Sequence, residues 1–243
     1  MVVLTSFMNV EASEVLPAEV LFDQGHGQRF LIEDSGPLQL SGLSGIVRGH
    51  GANPGSTKNE LNDETLRNYK ALVISGPFTA LSRNEVEAVA SFIEKGGRLA
   101  AMLHIGPPLA GLLARLGIVH SNAVLHERQN VIDTDINFRV ADLTPDPLFT
   151  GINQFSIYGA WALEPTAPAT SIARTSASAW VDLDGDKILS KGDVVSSFTL
   201  LARGTYGAGS YVIFGDDAIF QNRFLDEDNR KLASNLALWL IGR

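Results

Sequence analysis

Apolar residues along this chain come in two alternating textures. Short continuous runs end in glycine, and longer stretches carry apolar positions every three or four residues. In "YKALVISGP" (residues 69–77) the run stops at Ser75, Gly76 and Pro77, the pattern of a strand buried on both faces. The next stretch, "LSRNEVEAVASFIEKGG", contains both a helix start and a helix stop. Ser82 and Glu85 form a capping box, Val86, Val89, Ala90 and Ile93 share one face, and Gly96 or Gly97 ends it. "RLAAMLH" predicts the following strand. "PPLAGLLARLG" predicts another helix, with proline in its first turn, Leu109, Leu112, Leu113 and Leu116 in register, and Gly117 behind. Strand and helix alternating with short joints predict βαβ units, right-handed crossovers and a parallel sheet.

The flanking regions read differently. "VLFDQGHGQRF" (residues 20–30) begins as a buried strand and ends in Asp23, Gln24, His26 and Gln28 between glycines. Such a turn is expected to leave the His26 imidazole exposed, so that its loss changes binding more than stability. "SGPLQLSGLSGIVRGHGANPGSTKNELND" predicts loop with one short helix or strand, His50 lying in a mobile part of it. From about 125 to 205 short β-like pieces alternate with proline-rich loops. "FTLLARGTYGAGSYVIFGDD" predicts a hairpin turning at "YGAG", and "DNRKLASNLALWLIGR" a last helix packing Leu232, Leu236, Trp239 and Leu240. Trp161 and Trp180 fall in the β-rich part, where core packing is the expected role.

Composition narrows the chemistry. With 243 residues and no cysteine, the chain can bury a core without disulfides and has no thiolate nucleophile. A net charge of −8 argues against a nucleic-acid surface. The longest apolar stretch is broken by His104, Pro107, Pro108 and Arg115, so no membrane span is expected. The opening "MVVLTSFMNVEASEV" fits both a trimmed export segment and a first strand, leaving a soluble protein that is either cytoplasmic or exported.

In parallel α/β sheets ligands bind at the carboxyl ends of strands. Here those ends read "DQGHGQ", "SGPF", "MLHIGPP" and "GDDAIFQN". Together with "KGGRLAAML" and "FGDDAIFQNRFLDEDNRKLASNLALWL", the set resembles the class I glutamine amidotransferase-like superfamily. More narrowly it resembles the non-catalytic branch found in intraflagellar-transport and gliding-motility accessory proteins. Catalytic members carry a cysteine on a strand-to-helix elbow, where this chain has Leu103, His104, Ile105 and Gly106. The expected fold is therefore α/β: a flavodoxin-like three-layer sandwich with a mainly parallel sheet. Extra β strands or a β insertion fall in its C-terminal half, and one domain spans residues 1–243.

Asp23, His26, Ser75, His104 and Asp216 are expected in one polar crevice, with Gln28, Gly76, Asp217 and Asn222 completing a ligand-binding set. The expected role is a non-catalytic binding or assembly domain for a carbohydrate-like or other small polar ligand, or for a protein partner. The competing reading is a hydrolase or metal-dependent enzyme using Asp23, His26, His104 and Asp216, with His26 as general base, Asp23 orienting it, and zinc one conceivable ion. A second constellation, "DLDGDKILSKGD", spaces Asp182, Asp184, Asp186, the Ile188 carbonyl, Ser190 and Asp193 as in an EF-hand calcium loop. Lys187 replaces the turn glycine and Asp193 the bidentate glutamate, so a weak calcium site and an acidic hairpin tip both stay open.

Overall fold

A computed structural model describes residues 19–243; the opening segment, read as export signal or first strand, lies outside the described residues. The elements run β1 (Val20–Asp23), α1 (Ser41–Gly49), β2 (Pro54–Thr57), α2 (Asp63–Leu66), β3 (Ala71–Ser75), α3 (Arg83–Glu94), β4 (Arg98–Met102) and α4 (Ala110–Arg115). There follow β5 (Ile118–His126), β6 (Asn137–Val140), β7 (Asp142–Leu143), β8 (Phe155–Tyr158), β9 (Trp161–Pro165), β10 (Thr170–Arg174) and β11 (Trp180–Val181). The chain closes with β12 (Val194–Val195), β13 (Thr199–Tyr206), β14 (Gly209–Phe214) and α5 (Glu227–Leu240).

One mixed sheet of twelve strands organises the molecule, in the order β12-β11-β5-β9-β13-β14-β4-β3-β1-β2, with β10 beside β13 and β7 beside β10. Strands β6 and β8 pair separately. This architecture corrects the expected fold class. A flavodoxin-like sandwich needs a mainly parallel sheet, but among the described residues four strand pairings are parallel and eight antiparallel. Among the described residues, fourteen strands against five α-helices make the fold mostly β.

The departure begins after β4. Instead of crossing back to the parallel ladder, the chain enters the nine-residue β5, which pairs antiparallel with β9 and β11. The hairpin then joins the two regimes: β14 runs antiparallel to β13 and parallel to β4. Its turn falls between Tyr206 and Gly209, as the "YGAG" reading expects. Apart from β6 and β8, the short strands of the β-rich segment are thus ladder members of the main sheet.

Period-two alternation decides which way each strand residue faces. Val20, Phe22, Val73, Ala100, Met102 and Phe214 pack in one core with Leu43 and Val47 of α1 and Leu232 and Leu236 of α5. Leu21, Leu72, Ile74, Leu99 and Ala101 pack on the opposite side with Val86, Val89 and Ile93 of α3 and Leu112 and Leu113 of α4. The capping box of α3 forms as read, Ser82 Oγ accepting from the Glu85 amide while the Glu85 side chain accepts from the Ser82 amide. The glycine-rich stretch holds α1 and the edge strand β2, which opens on proline as an edge strand tolerates. No helix among the described residues is long and apolar enough to cross a membrane.

Candidate functional site

The residues read as one crevice resolve into two groups on opposite faces of the strand ends. Asp23 has the facing of Leu21, toward α3, whereas Ser75 has the facing of Val73, toward α1 and α5.

On the α3 side His26 is clamped between two acids. Its Nδ1 lies 2.8 Å from Asp23 Oδ2 and its Nε2 2.9 Å from Glu85 Oε1. Asp23 also accepts from the Gln28 side chain and the Gly25 amide, and Gln28 Oε1 accepts from the His26 amide at 2.7 Å. Glu85 accepts from the Leu61 and Ser82 amides as well. Burial works against the His26 cation, but the bond to Asp23 and the charges of Asp23 and Glu85 outweigh it and raise the imidazole pKa. Burial likewise opposes the Glu85 charge, and the Ser82 and Leu61 donors together with His26 lower its pKa. His26 is only 5% exposed, which corrects the expectation of an outward-facing loop imidazole. Both ring nitrogens are hydrogen-bonded to buried acids, so the group ties the loop after β1 to α3.

The second group sits where β3, β4 and β14 end side by side, with Ser75 paired to Met102 and Met102 to Phe214. His104 Nδ1 lies 3.1 Å from Asp217 Oδ1. Its ring packs against Phe78 at 4.8 Å and Phe30 at 5.5 Å, and the Arg29 guanidinium covers the Phe78 ring. The bond to Asp217 raises the His104 pKa, with the charges of Asp217 and Asp216 adding to it against burial and Arg29. Asp216 is buried and accepts from the Tyr158 and Ala218 amides. Burial and its neighbour Asp217 push its carboxyl up to about 7. Burial also raises the pKa of Asp217, against the bond from His104. Gly76 stands at φ +56°, and a Cβ there would fall 2.1 Å from Asp217 Oδ2, so both backbone and space require glycine. Ser75 Oγ and Asp217 Oδ2 are buried without a hydrogen-bond partner. His104 thus presents a half-exposed imidazole oriented by Asp217, whose other oxygen, like Ser75 Oγ at the end of β3, is buried without a partner. Phe78 joins the groups: its amide donates to the His26 carbonyl while its ring touches His104.

Several other polar and aromatic residues take structural posts. Asn222 Oδ1 accepts from the Gly42 amide and its Nδ2 donates to Gly36 O and Ser41 Oγ, capping α1, which lacks a cap of its own. His50 is bonded to Ser234 of α5 instead of moving in a loop. His126 stacks on Trp180 and pairs with Asp135. Trp161 and Trp180 are both buried, as packing residues should be.

In the acidic loop, flanked by β11 and β12, one carboxylate oxygen from each of Asp182, Asp184 and Asp193 lies within 4.8 Å of the others. Among the described residues this is the one group of three acid or imidazole side chains placed to share an ion; His26 and His104 enter none. Asp186 stands outside it and accepts from the amide of Ile188, whose side chain is exposed. Lys187 adopts φ +63° where an EF-hand places glycine.

Sequence reasoning missed Glu85, taken only as a capping residue, and Phe30, Phe78 and Arg29. Glu85 reaches His26 across 59 positions, and no local spacing signals such a pairing.

The chain's fold is similar to that of the mmIFT52 N-terminal domain, with TM-score 0.74, 18% identity, and coverage of 93% of this chain and 98% of that one. It is also similar to the cytoplasmic protein STM1381 from Salmonella typhimurium LT2, with TM-score 0.61, 14% identity, and coverage of 91% and 99%. A cold-adapted β-galactosidase from Rahnella sp. R3 gives TM-score 0.56 and 14% identity over 91% of this chain but 32% of the enzyme. A search of the curated proteins finds no match. These comparisons retain the likeness to an IFT protein and lend nothing to the glutamine amidotransferase-like resemblance, which is corrected together with the flavodoxin-like fold. The family model described as "Domain of unknown function (DUF4350)" matches residues 32–237, most of the chain, and the chain belongs to that family.

Proposed function

We propose that this chain is a non-catalytic binding or assembly module whose crevice beside His104 takes a neutral, hydroxyl-rich ligand or a partner segment presenting the same groups. The observation that carries this is the half-exposed, Asp217-oriented imidazole together with Asp217 Oδ2 and, at the end of β3, Ser75 Oγ, two buried polar atoms without protein partners. Such atoms are rare in folded proteins and call for a ligand or water. A hydroxyl suits them because it donates to a carboxylate and accepts from an imidazole N–H, while Phe30 and Phe78 offer apolar faces.

Two facts weigh toward binding over turnover. His26 has both nitrogens committed to buried acids, and the chain has no cysteine. That the fold makes up about a third of a β-galactosidase adds support for a module that serves within larger assemblies. Under this reading Asp23, His26, Gln28 and Glu85 brace the crevice, and Asn222 fixes α1 beside it.

The test is an NMR titration of the labelled chain with mono- and oligosaccharides. Shifts at Gly76, Phe78, His104 and Asp217 that vanish in His104→Ala support the reading. Absence of such shifts overturns it. So does turnover of a glutamine, peptide, ester or glycoside substrate above a heat-treated control that is lost in His104→Ala or His26→Ala.

A further inference from the structure

We propose that a cleft in the antiparallel half of the sheet is a second, separate binding site, selective for a monocarboxylate with an apolar body. The cleft has a volume of about 690 Å³ and lies between β5, β9, β10 and the segment from β12 into β13. That size falls within the usual range for small-molecule sites, roughly 300–1,000 Å³.

The cleft holds a cation with no acid bonded to it. Arg174, half-buried, gives Nε to Ser197 Oγ at 3.0 Å, Nη2 to the Ser197 carbonyl at 2.7 Å, and Nη1 to Thr199 Oγ1 and Ser171 Oγ. All four acceptors are uncharged. Among the described residues Arg174 forms no ion pair, although Asp142 lies opposite it across the β7–β10 pairing. A guanidinium has five N–H donors, so one on Nη2 remains for an incoming anion. A partly desolvated cation held only by neutral oxygens gains most from a carboxylate, through a charge-assisted bond.

The walls decide what the anion is attached to. Val119, Leu183 and Val194 line the cleft, and all three are exposed, Val119 by 60%. Phe198 adds an aromatic surface beside them. Large apolar side chains left open around a cavity mark a surface that is covered on binding. The same lining argues against a phosphate dianion: one arginine supplies one charge, and Glu164 on the rim repels a second negative charge. A single carboxylate on a hydrocarbon body matches one cation within apolar walls.

The experiment uses calorimetry on the full chain with octanoate, octanamide and acetate as probes, each below any micellar concentration. Octanoate is expected to bind at least about tenfold more tightly than either octanamide or acetate, the first lacking the charge and the second the body. Arg174→Lys, which keeps the charge and loses the planar fork, and Val119→Glu on the exposed rim are each expected to weaken octanoate about fivefold or more. Circular dichroism establishes that both variants fold, and Val119→Glu alone tests the site if Arg174→Lys does not. Equal affinity for octanoate and octanamide overturns the proposal. So do unchanged affinity in the folded variants and no heat from octanoate at millimolar concentration.

Discussion

Replacing His26 by alanine tests whether the clamp at the first strand end is structural. The substitution removes both charge-assisted bonds and leaves Asp23 and Glu85 facing an empty space. Breaking a buried charged pair by deleting one partner costs about 3–5 kcal/mol. Both acids keep other donors, Gln28 and Gly25 for Asp23 and Ser82 and Leu61 for Glu85, so the lower end of that range, about 3 kcal/mol, applies. In a domain of this length each kcal/mol moves the melting temperature by roughly 2–4 °C, which sets the expected fall at about 6–12 °C. The pH dependence gives a second handle. The His26 pKa is raised above 6.5, so its contribution is fully present below pH 6.5 and is lost as pH rises through the folded-state value. The Glu85 pKa is lowered below 4.5, so its contribution holds above that value and is lost as pH falls through the folded-state one. The gap between wild type and His26→Ala is therefore widest between about pH 4.5 and 6.5 and narrows toward alkaline pH. Differential scanning calorimetry at pH 5.5 and pH 9 measures it. A fall of less than about 2 °C at pH 5.5, or a gap that widens with pH, would refute the clamp.

What could be read from the sequence was what local periodicity encodes. The α3 capping box, the leucine register from Leu109 to Leu116 and the hairpin turn before Gly209 each depend on residues a few positions apart, and each formed as read. The sheet's mixed character could not be read this way. An apolar run such as "NAVLH" within β5 has the same composition whether its neighbour runs parallel or antiparallel, and pairing direction is set by where the chain can return after β4.

The site was legible to the same depth. Chemistry-bearing residues did gather at strand ends, but facing separated Asp23 from Ser75, a consequence of the pleat that needs strand boundaries accurate to one residue. The structural role of Asn222 was hidden for a related reason. A polar residue after a strand reads as a ligand group, yet Leu40 at the N-cap of α1 offers no side-chain cap, and an amide 180 positions away supplies one to Gly42. Arg174 gave no signal, because its lack of an acid partner is visible only once the strands around it are placed.

Three further outcomes are expected. Millimolar calcium, compared with EDTA, should raise the melting temperature if Asp182, Asp184 and Asp193 gather an ion, and Asp184→Ala should remove the rise; no shift at about 10 mM leaves the loop an acidic hairpin tip. For Asp216, whose folded pKa of about 7 exceeds its unfolded value of 3.8, the contribution is present below pH 3.8 and lost as pH rises through 7. Denaturant midpoints should therefore fall from pH 6 to pH 8 in wild type and in His26→Ala alike, and a flat midpoint in the variant would remove Asp216 as a cause. Gly76→Ala probes the crevice itself, because the new methyl would overlap Asp217 Oδ2 at a backbone angle that costs a non-glycine residue about 1–2 kcal/mol. Asp217 must then withdraw from His104, removing the bond that does most to raise the imidazole pKa. An NMR titration of His104 should show its pKa falling toward 6.5 in Gly76→Ala, with lower stability. An unchanged His104 titration in a folded Gly76→Ala protein would mean that Asp217 does not orient the imidazole.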